Sequence, residues 1–302
     1  MNQVRQLHTT RANTNTDRSA GAGASTKRGP RVVSITSGKG GVGKTLTTVN
    51  FAVVARKMGY SVTILDGDLG MANVDIVLGV QARYNIKEVL DGHVSLKDII
   101  VEGPLGIRVI PSGSGISGLS NLTCVQKQNI LDQINQLDEQ SDLLLIDTGA
   151  GISETVMTLN SSADHVVVVT TPEPHAMTDA YALMKVLSEE RGVREVSLLV
   201  NQTKSPDEGQ KTADRLKGVA AKFLRLEINY VGHVPADVLV ARSVMQRRAA
   251  TEQSVMTLGG QAWSQISRTL LTDLFATSKD DSNTSVWQSL LWSDAMQSAV
   301  AR

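Results

Sequence analysis

The chain has 302 residues, enough for one large α/β domain with tails. Hydrophobic residues are 41% and aromatics only 3%, so a core must be mostly aliphatic, as suits a parallel sheet buried on both faces. Lys+Arg 30 balances Asp+Glu 30, which removes bulk charge as a reason to bind nucleic acid. The single cysteine, Cys124, excludes an internal disulfide and any metal or iron–sulfur site made from several cysteines of one chain.

Residues 1–30 are polar, rich in Thr, Asn, Ser, Gly and Ala, and read as a mobile tail; Asn2 to Leu7 can form a short helix if a partner stabilises it. No apolar signal core and no run long enough to span a bilayer is present, so a cytoplasmic protein is expected. From Arg31 apolar runs alternate with helical patterns. The predicted strands are Val32–Thr36, Val62–Leu65, Ile107–Ile110, Leu143–Ile146, Val166–Thr170, Val196–Val200 and Tyr230–Val234. The predicted helices are Thr45–Met58, Thr123–Leu137, Thr178–Glu190, Asp207–Phe223, Val238–Arg248 and Gln261–Phe275. This alternation implies right-handed crossovers and one doubly wound, mostly parallel sheet with helices on both faces, spanning residues 31–275. Residues 276–302 read as a linker followed by an apolar segment, Val286 to Val300.

The first strand runs into Ser37-Gly38-Lys39-Gly40-Gly41-Val42-Gly43-Lys44-Thr45, in which Gly38, Gly43, Lys44 and Thr45 fit the phosphate-loop pattern G-x-x-x-x-G-K-S/T. Successive backbone N–H groups of such a turn can all face polyphosphate, and the following helix start adds its positive end. Side chains at Gly38, Gly40, Gly41 and Gly43 are expected to obstruct that approach or forbid the backbone angles. Lys44 suits the β- and γ-phosphates and Thr45 a Mg²⁺ ion, with Val42 and Leu46 counted among the nucleotide-binding residues. Lys39 is surplus to a plain loop of this type and marks a branch of ATPases that pair two copies across nucleotide.

Three strand ends add candidates, because ligands of such sheets bind beyond the carboxyl ends of the strands. Asp66 and Asp68 end the second strand; Asp68 suits the positioning of a water and Asp66 the Mg²⁺ shell, against a turn in which both bond their own backbone. Asp147 ends Leu143–Ile146 as a second Mg²⁺ group, and Gly149 and Gly151 let the next loop change shape. Asn201 offers a donor and an acceptor to an adenine edge, and Pro235 and Asp237 fall at the same rim. Each of the last three is equally readable as a loop residue. Glu173, in Thr171-Pro172-Glu173-Pro174-His175, reads more readily as a solvated loop carboxylate than as a nucleotide or partner contact.

Together these residues resemble the MinD/ParA class of deviant Walker-motif ATPases over about Arg31 to Thr251. Within it, Asp66–Gly79 and Thr171–Lys185 are similar to the flagellar-number branch, the FlhG (FleN) regulators. The resemblance implies an ATP- and Mg²⁺-dependent sandwich homodimer in which Lys39 reaches phosphates held by the other copy. It implies Asp68 as the hydrolytic aspartate, Asp147 on the Mg²⁺ side, Asn201 on adenine and Pro235 near the base. Regulators of this branch act on an SRP-type flagellar GTPase, FlhF, and often on a flagellar master transcription activator. They are cytoplasmic, with peripheral placement at the inner membrane or cell pole, and no direct nucleic-acid binding is expected. The alternative is a positioning ATPase for cell division or for DNA or protein cargo. Two stretches depart from the branch. The tail keeps Gln3 and Leu7 of a GTPase-stimulating motif but not its acidic, small and basic positions. From Val286 on, only Asp294 and Arg302 are charged, so the segment lacks the basic face of a membrane-surface helix and packing on protein is weighed equally.

Overall fold

The structure, a computed structural model, describes residues 29–68, 73–85, 88–89, 91–111, 132–133, 141–252 and 257–276. The predicted tail, most of the predicted helix Thr123–Leu137 and the segment after residue 276 lie outside these residues.

All seven predicted strands form. They are β1 (Arg31–Ser37), β2 (Val62–Gly67), β4 (Arg108–Ile110), β5 (Leu143–Ala150), β6 (His165–Thr170), β7 (Glu195–Thr203) and β8 (Glu227–Pro235). An additional two-residue strand, β3 (Val101–Glu102), caps one edge. The sheet order is β3-β4-β2-β5-β1-β6-β7-β8, parallel except for β3 against β4. Its Val, Ile and Leu runs are buried on both faces, as a covered parallel sheet requires.

The two faces carry separate cores. Val33 and Ile35 of β1 and Val167 and Val169 of β6 join one, with α1 (Lys44–Lys57), α2 (Val74–Leu78) and the long helix Leu258–Ala276. Val166 and Val168 of β6 join the other, with the helices Glu154–Ser161, Pro174–Glu190 and Pro206–Phe223. The period-two alternation of a strand sends neighbouring valines to opposite sides. We label the remaining helices α3 (Leu96–Ile99), α4 (Glu154–Ser161), α5 (Pro174–Glu190), α6 (Pro206–Phe223), α7 (Val238–Met245) and α8 (Leu258–Ala276).

Helix α1 is buried at every position from Thr47 to Ala55. A surface helix would bury one stripe; this one is enclosed because α8 covers its outer side. Trp263 of α8 donates its indole N–H to Thr47 Oγ1 at 3.3 Å, and Thr251 N donates to Asn50 Oδ1 at 2.9 Å. The C-terminal part of the fold therefore braces the helix that follows the glycine-rich loop. Helix α5 begins at Pro174 rather than Thr178: a proline lacks an N–H that the first helical turn cannot use anyway, and its φ suits that position. Its residues Ala176, Ala180, Leu183, Met184 and Leu187 then form one buried stripe. Among the described residues no helix is long and apolar enough to cross a membrane.

Candidate functional site

The glycine-rich loop leaves β1 at the centre of the sheet and enters α1 at Gly43. Three of its four glycines are required by geometry. Gly41 and Gly43 have φ of +79° and +96°, in the left-handed region. A Cβ on Gly38 would lie 2.1 Å from the Asp179 carbonyl oxygen of α5, so loop and helix touch backbone to backbone. Gly40 is the exception: a Cβ there meets nothing within 4 Å and its φ is not left-handed, so the fold gives no steric reason for glycine at that position.

Lys44 is 8% exposed and folds back on the loop, donating to Ser37 Oγ at 3.0 Å, while that hydroxyl donates to the Lys39 carbonyl at 2.7 Å. Burial holds the Lys44 ammonium below the ordinary lysine range, and the carboxylates of Asp147 and Asp68 push it back up. Next to it, Thr45 Oγ1 donates to Asp147 Oδ2 at 2.7 Å and Thr48 Oγ1 to Asp147 Oδ1 at 3.1 Å. Thr48 was not singled out from the sequence, although Thr45 and Thr48 share a helix face by their spacing.

Asp66 and Asp147 are register partners on the adjacent strands β2 and β5, and both are about 1% exposed. Burial, then the charge of Asp147, pushes Asp66 up to about 7 against three backbone N–H bonds. Burial pushes Asp147 up to about 6 against the two threonine hydroxyls and Lys44. Two buried carboxylates side by side repel unless protonated or bridged by a cation. Among the described residues no group of three or more His, Cys, Asp or Glu converges on a metal position. Two carboxylates and a hydroxyl fit Mg²⁺, which takes one or two carboxylates and fills its other positions with phosphate oxygens and water. Asp66 also anchors its own turn, accepting from Asp68 N at 3.1 Å, Asn73 N at 3.2 Å and Val74 N at 3.3 Å. The turn geometry weighed against a metal role is thus present. Asp68 lies across from the carboxyl end of β5, its Oδ1 3.9 Å from where a Gly149 Cβ would stand.

The end of β5 and the residue after it are bonded to the end of β1, where the glycine-rich loop starts; Gly149, expected in the loop after the strand, lies within β5. Gly151, with φ of +92°, donates its N–H to the Ser37 carbonyl at 2.9 Å, and Thr148 Oγ1 donates to Thr36 Oγ1 at 2.9 Å. Lys39 points the other way. Its ammonium is 2.7 Å from Glu173 Oε1, at the start of α5, and this contact pulls the Glu173 carboxyl below the usual carboxylate range. Glu173 is therefore not a merely solvated carboxylate, and no local sequence signal pairs two residues 134 apart.

On the far side, Asn201 is buried and its Nδ2 donates to the Val42 carbonyl at 2.8 Å. It holds the loop itself, a role the sequence did not suggest. Gln202, also not singled out, reaches the Gly41 carbonyl with Nε2 at 3.4 Å. Leu46, in the first turn of α1, is half-buried and packs against the core. Asp237 caps α7, accepting from Leu239 N at 2.9 Å, and its other oxygen accepts from Gly259 N at 3.3 Å. Pro235 ends β8 and borders a cavity of about 530 Å³ between that strand and α8, lined also by Lys204, His233 and Gln261.

A glycine-rich loop between β1 and a buried helix, with a carboxylate closing the adjacent strand onto the loop's threonine, is the phosphate site of a P-loop NTPase. The ParA family model, described as the NUBPL iron-transfer P-loop NTPase, matches residues 29–271. The chain belongs to the ParA/MinD family of P-loop NTPases. It is similar to the antiactivator FleN of Pseudomonas aeruginosa, with 36% identity over 222 residues, 74% of this chain and 79% of that protein. It is similar also to the flagellum site-determining protein YlxH of Helicobacter pylori, with 37% identity over 254 residues, 82% of this chain and 84% of that protein. The fold matches the septum site-determining protein MinD of Pyrococcus horikoshii, solved with Mg-ADP, at a TM-score of 0.65 and 24% identity, over 83% of this chain and all (100%) of that one. As a ParA/MinD member the chain is a P-loop ATPase, and the expected single α/β domain with a mostly parallel sheet is what forms, with eight strands in the sheet.

Proposed function

We propose that this ParA/MinD-type ATPase is a dimerising, nucleotide-driven switch that sets flagellar number and placement. The observation that carries the switch is the 2.7 Å bond from Thr45 to Asp147, which ties the phosphate-loop threonine, at the start of α1, to the carboxyl end of β5 just before the bend at Gly151. Occupation of the first is then felt by the second. The flagellar output is supported by the likeness to one relative named a flagellum site-determining protein and another named an antiactivator.

In this reading the N–H groups of the loop and the Lys44 ammonium bind the polyphosphate of ATP. Thr45, Asp66 and Asp147 would hold Mg²⁺, whose contribution is to neutralise phosphate charge. Asp68 orients the attacking water, since hydrolysis of a phosphoanhydride asks mainly for positioning and charge stabilisation. Lys39 exchanges Glu173 for phosphates held by a second copy. Asn201 and Pro235 border the base, while Asp237 fixes the rim by capping α7. Hydrolysis then resets the dimer. Residues 1–30 serve as a partner-binding tail, 31–275 as the ATPase domain, and 276–302 as a docking segment for protein or the inner-membrane surface. The partners are the flagellar GTPase FlhF and a flagellar master transcription activator, met in the cytoplasm or peripherally at the membrane or pole.

A second reading, a positioning ATPase for division or cargo, is favoured by the shared fold of MinD. Cells carrying Lys44→Ala or Asp68→Ala separate the two. Altered flagellar counts with normal septa support the flagellar switch; normal counts with misplaced septa or lost cargo transfer the site to the second reading. Retention on nonspecific DNA with a steep salt dependence would identify a DNA cargo.

A further inference from the structure

Strand β7 departs from regular geometry where it meets the phosphate loop. Val200 pairs with His233 and Thr203 with Pro235, so Asn201 and Gln202 together oppose Val234 alone. This is a two-against-one bulge, the kind that re-aims side chains beside functional sites. Its second residue, Gln202, has φ of +58°, a left-handed conformation that residues with a Cβ rarely adopt. The turn is held by Gln202 N donating to Asn201 Oδ1 at 2.9 Å. In an unbroken strand these two side chains would leave on opposite faces of the sheet. The bulge brings both onto one target: Asn201 Nδ2 meets the Val42 carbonyl at 2.8 Å and Gln202 Nε2 the Gly41 carbonyl at 3.4 Å. Asn201 lies so flat on the loop that a Cβ on Gly43 would stand 2.2 Å from its Nδ2.

The consequence follows from the peptide bond. No peptide among the described residues is cis, and in a trans unit the C=O and the next N–H point in opposite directions. Holding the Gly41 and Val42 carbonyls toward β7 turns the Val42 and Gly43 N–H groups away from β7. These are donors that a polyphosphate needs aligned before it arrives. A locally unfavourable backbone kept at a binding site is the expected signature of such preorganisation.

We propose that Gln202, acting with Asn201, is a positioning residue that presets the anion-binding N–H groups of the phosphate loop. It touches neither base nor phosphate. The proposal rests on the reading of Ser37–Thr45 as a polyphosphate site.

The test uses the full chain and two probes, inorganic pyrophosphate and ADP, titrated by calorimetry, with thermal unfolding of the apo protein alongside. Gln202→Gly removes the side chain and relieves the left-handed strain, so its unfolding midpoint stays level or rises. Gln202→Ala keeps the strain and unfolds lower. Both lose roughly three- to tenfold in affinity, as expected for one hydrogen bond, and by the same factor for pyrophosphate and ADP. Wild-type pyrophosphate affinity in Gln202→Gly overturns the proposal. Loss confined to ADP also overturns it, making Gln202 a base contact. An affinity loss that follows the unfolding midpoint, present in Gln202→Ala and absent in Gln202→Gly, reduces Gln202 to a structural residue. Lys44→Ala is the reference: if it binds pyrophosphate as wild type does, the polyphosphate reading itself fails, whatever Gln202 does.

Discussion

The two ends of the phosphate loop are built on different physics. Lys44 and Thr45 stand at a buried end, closed by Ser37 and by Asp147, whose two oxygens take hydroxyl bonds from Thr45 and Thr48. Lys39 stands at a half-exposed end, held by one ion pair to Glu173. A buried charge without a partner is costly, so the first end is fixed by the fold. A solvent-exposed pair contributes little, so the second end can change partners at small cost. The difference suggests which end holds nucleotide and which is available to a second copy.

The largest expected effect breaks the buried end. Lys44→Ala lowers ADP affinity on the order of a hundredfold, measured by calorimetry, because a buried charged donor is lost from the phosphate. An affinity within a few-fold of wild type would show that the buried end is not the anchor.

Asp147→Asn tests the same end in the apo state. The hydroxyls of Thr45 and Thr48 can rotate to accept as well as donate, so the amide fits. The Asp147 carboxyl is raised from 3.8 to about 6 on folding. Its contribution to stability is therefore fully present below the unfolded value and lost as pH rises through the folded one. Asn does not titrate, so its advantage over wild type in urea midpoints grows between pH 4 and pH 8, by up to about 3 kcal/mol. A pH-independent difference would remove burial of the charge as the cause.

Gly38→Ala sharpens the contrast at the exposed end, where the backbone is packed although the neighbouring side chain is free to move. The new methyl meets the Asp179 carbonyl of α5, and a stability loss of about 1–3 kcal/mol is expected in urea. Retained stability would mean that α5 yields easily. The smallest effect on folding comes from Glu173→Gln, which leaves the unfolding midpoint unchanged. It nevertheless lowers the protein concentration needed for ATP-dependent dimerisation in sedimentation, while Lys39→Ala abolishes that dimer. If Lys39→Ala dimerises like wild type, the role given to the exposed end is lost.

Much of the fold was legible in order. The seven strands are continuous apolar runs because both faces of the sheet are covered, and such runs need no long-range information to be seen. The short helices α2, α3 and α4 were not anticipated: α2 and α3 have five and four residues, too few to show a 3.6-residue period. In the site, the loop and its aspartates were visible because their spacing is local and they end apolar strands. Glu173 is exposed, as its sequence context implies, but its ion pair was not legible because its partner, Lys39, is distant in sequence and met only when α5 packs on the loop. Gln202 was invisible for a related reason, since its conformation depends on the register of β7 against β8.

By itself the sequence determined a doubly wound sheet and a phosphate loop with one lysine more than the chemistry of the loop requires. Hydrophobic runs, glycines and motif spacing are properties of neighbouring residues and survive without a fold. Tertiary structure alone decided that Asp66 and Asp147 share a register, that α8 encloses α1, that Lys39 leans on Glu173 and that a bulge turns Asn201 and Gln202 onto the loop. Each of these is a contact between segments far apart in the chain, set by strand order and packing.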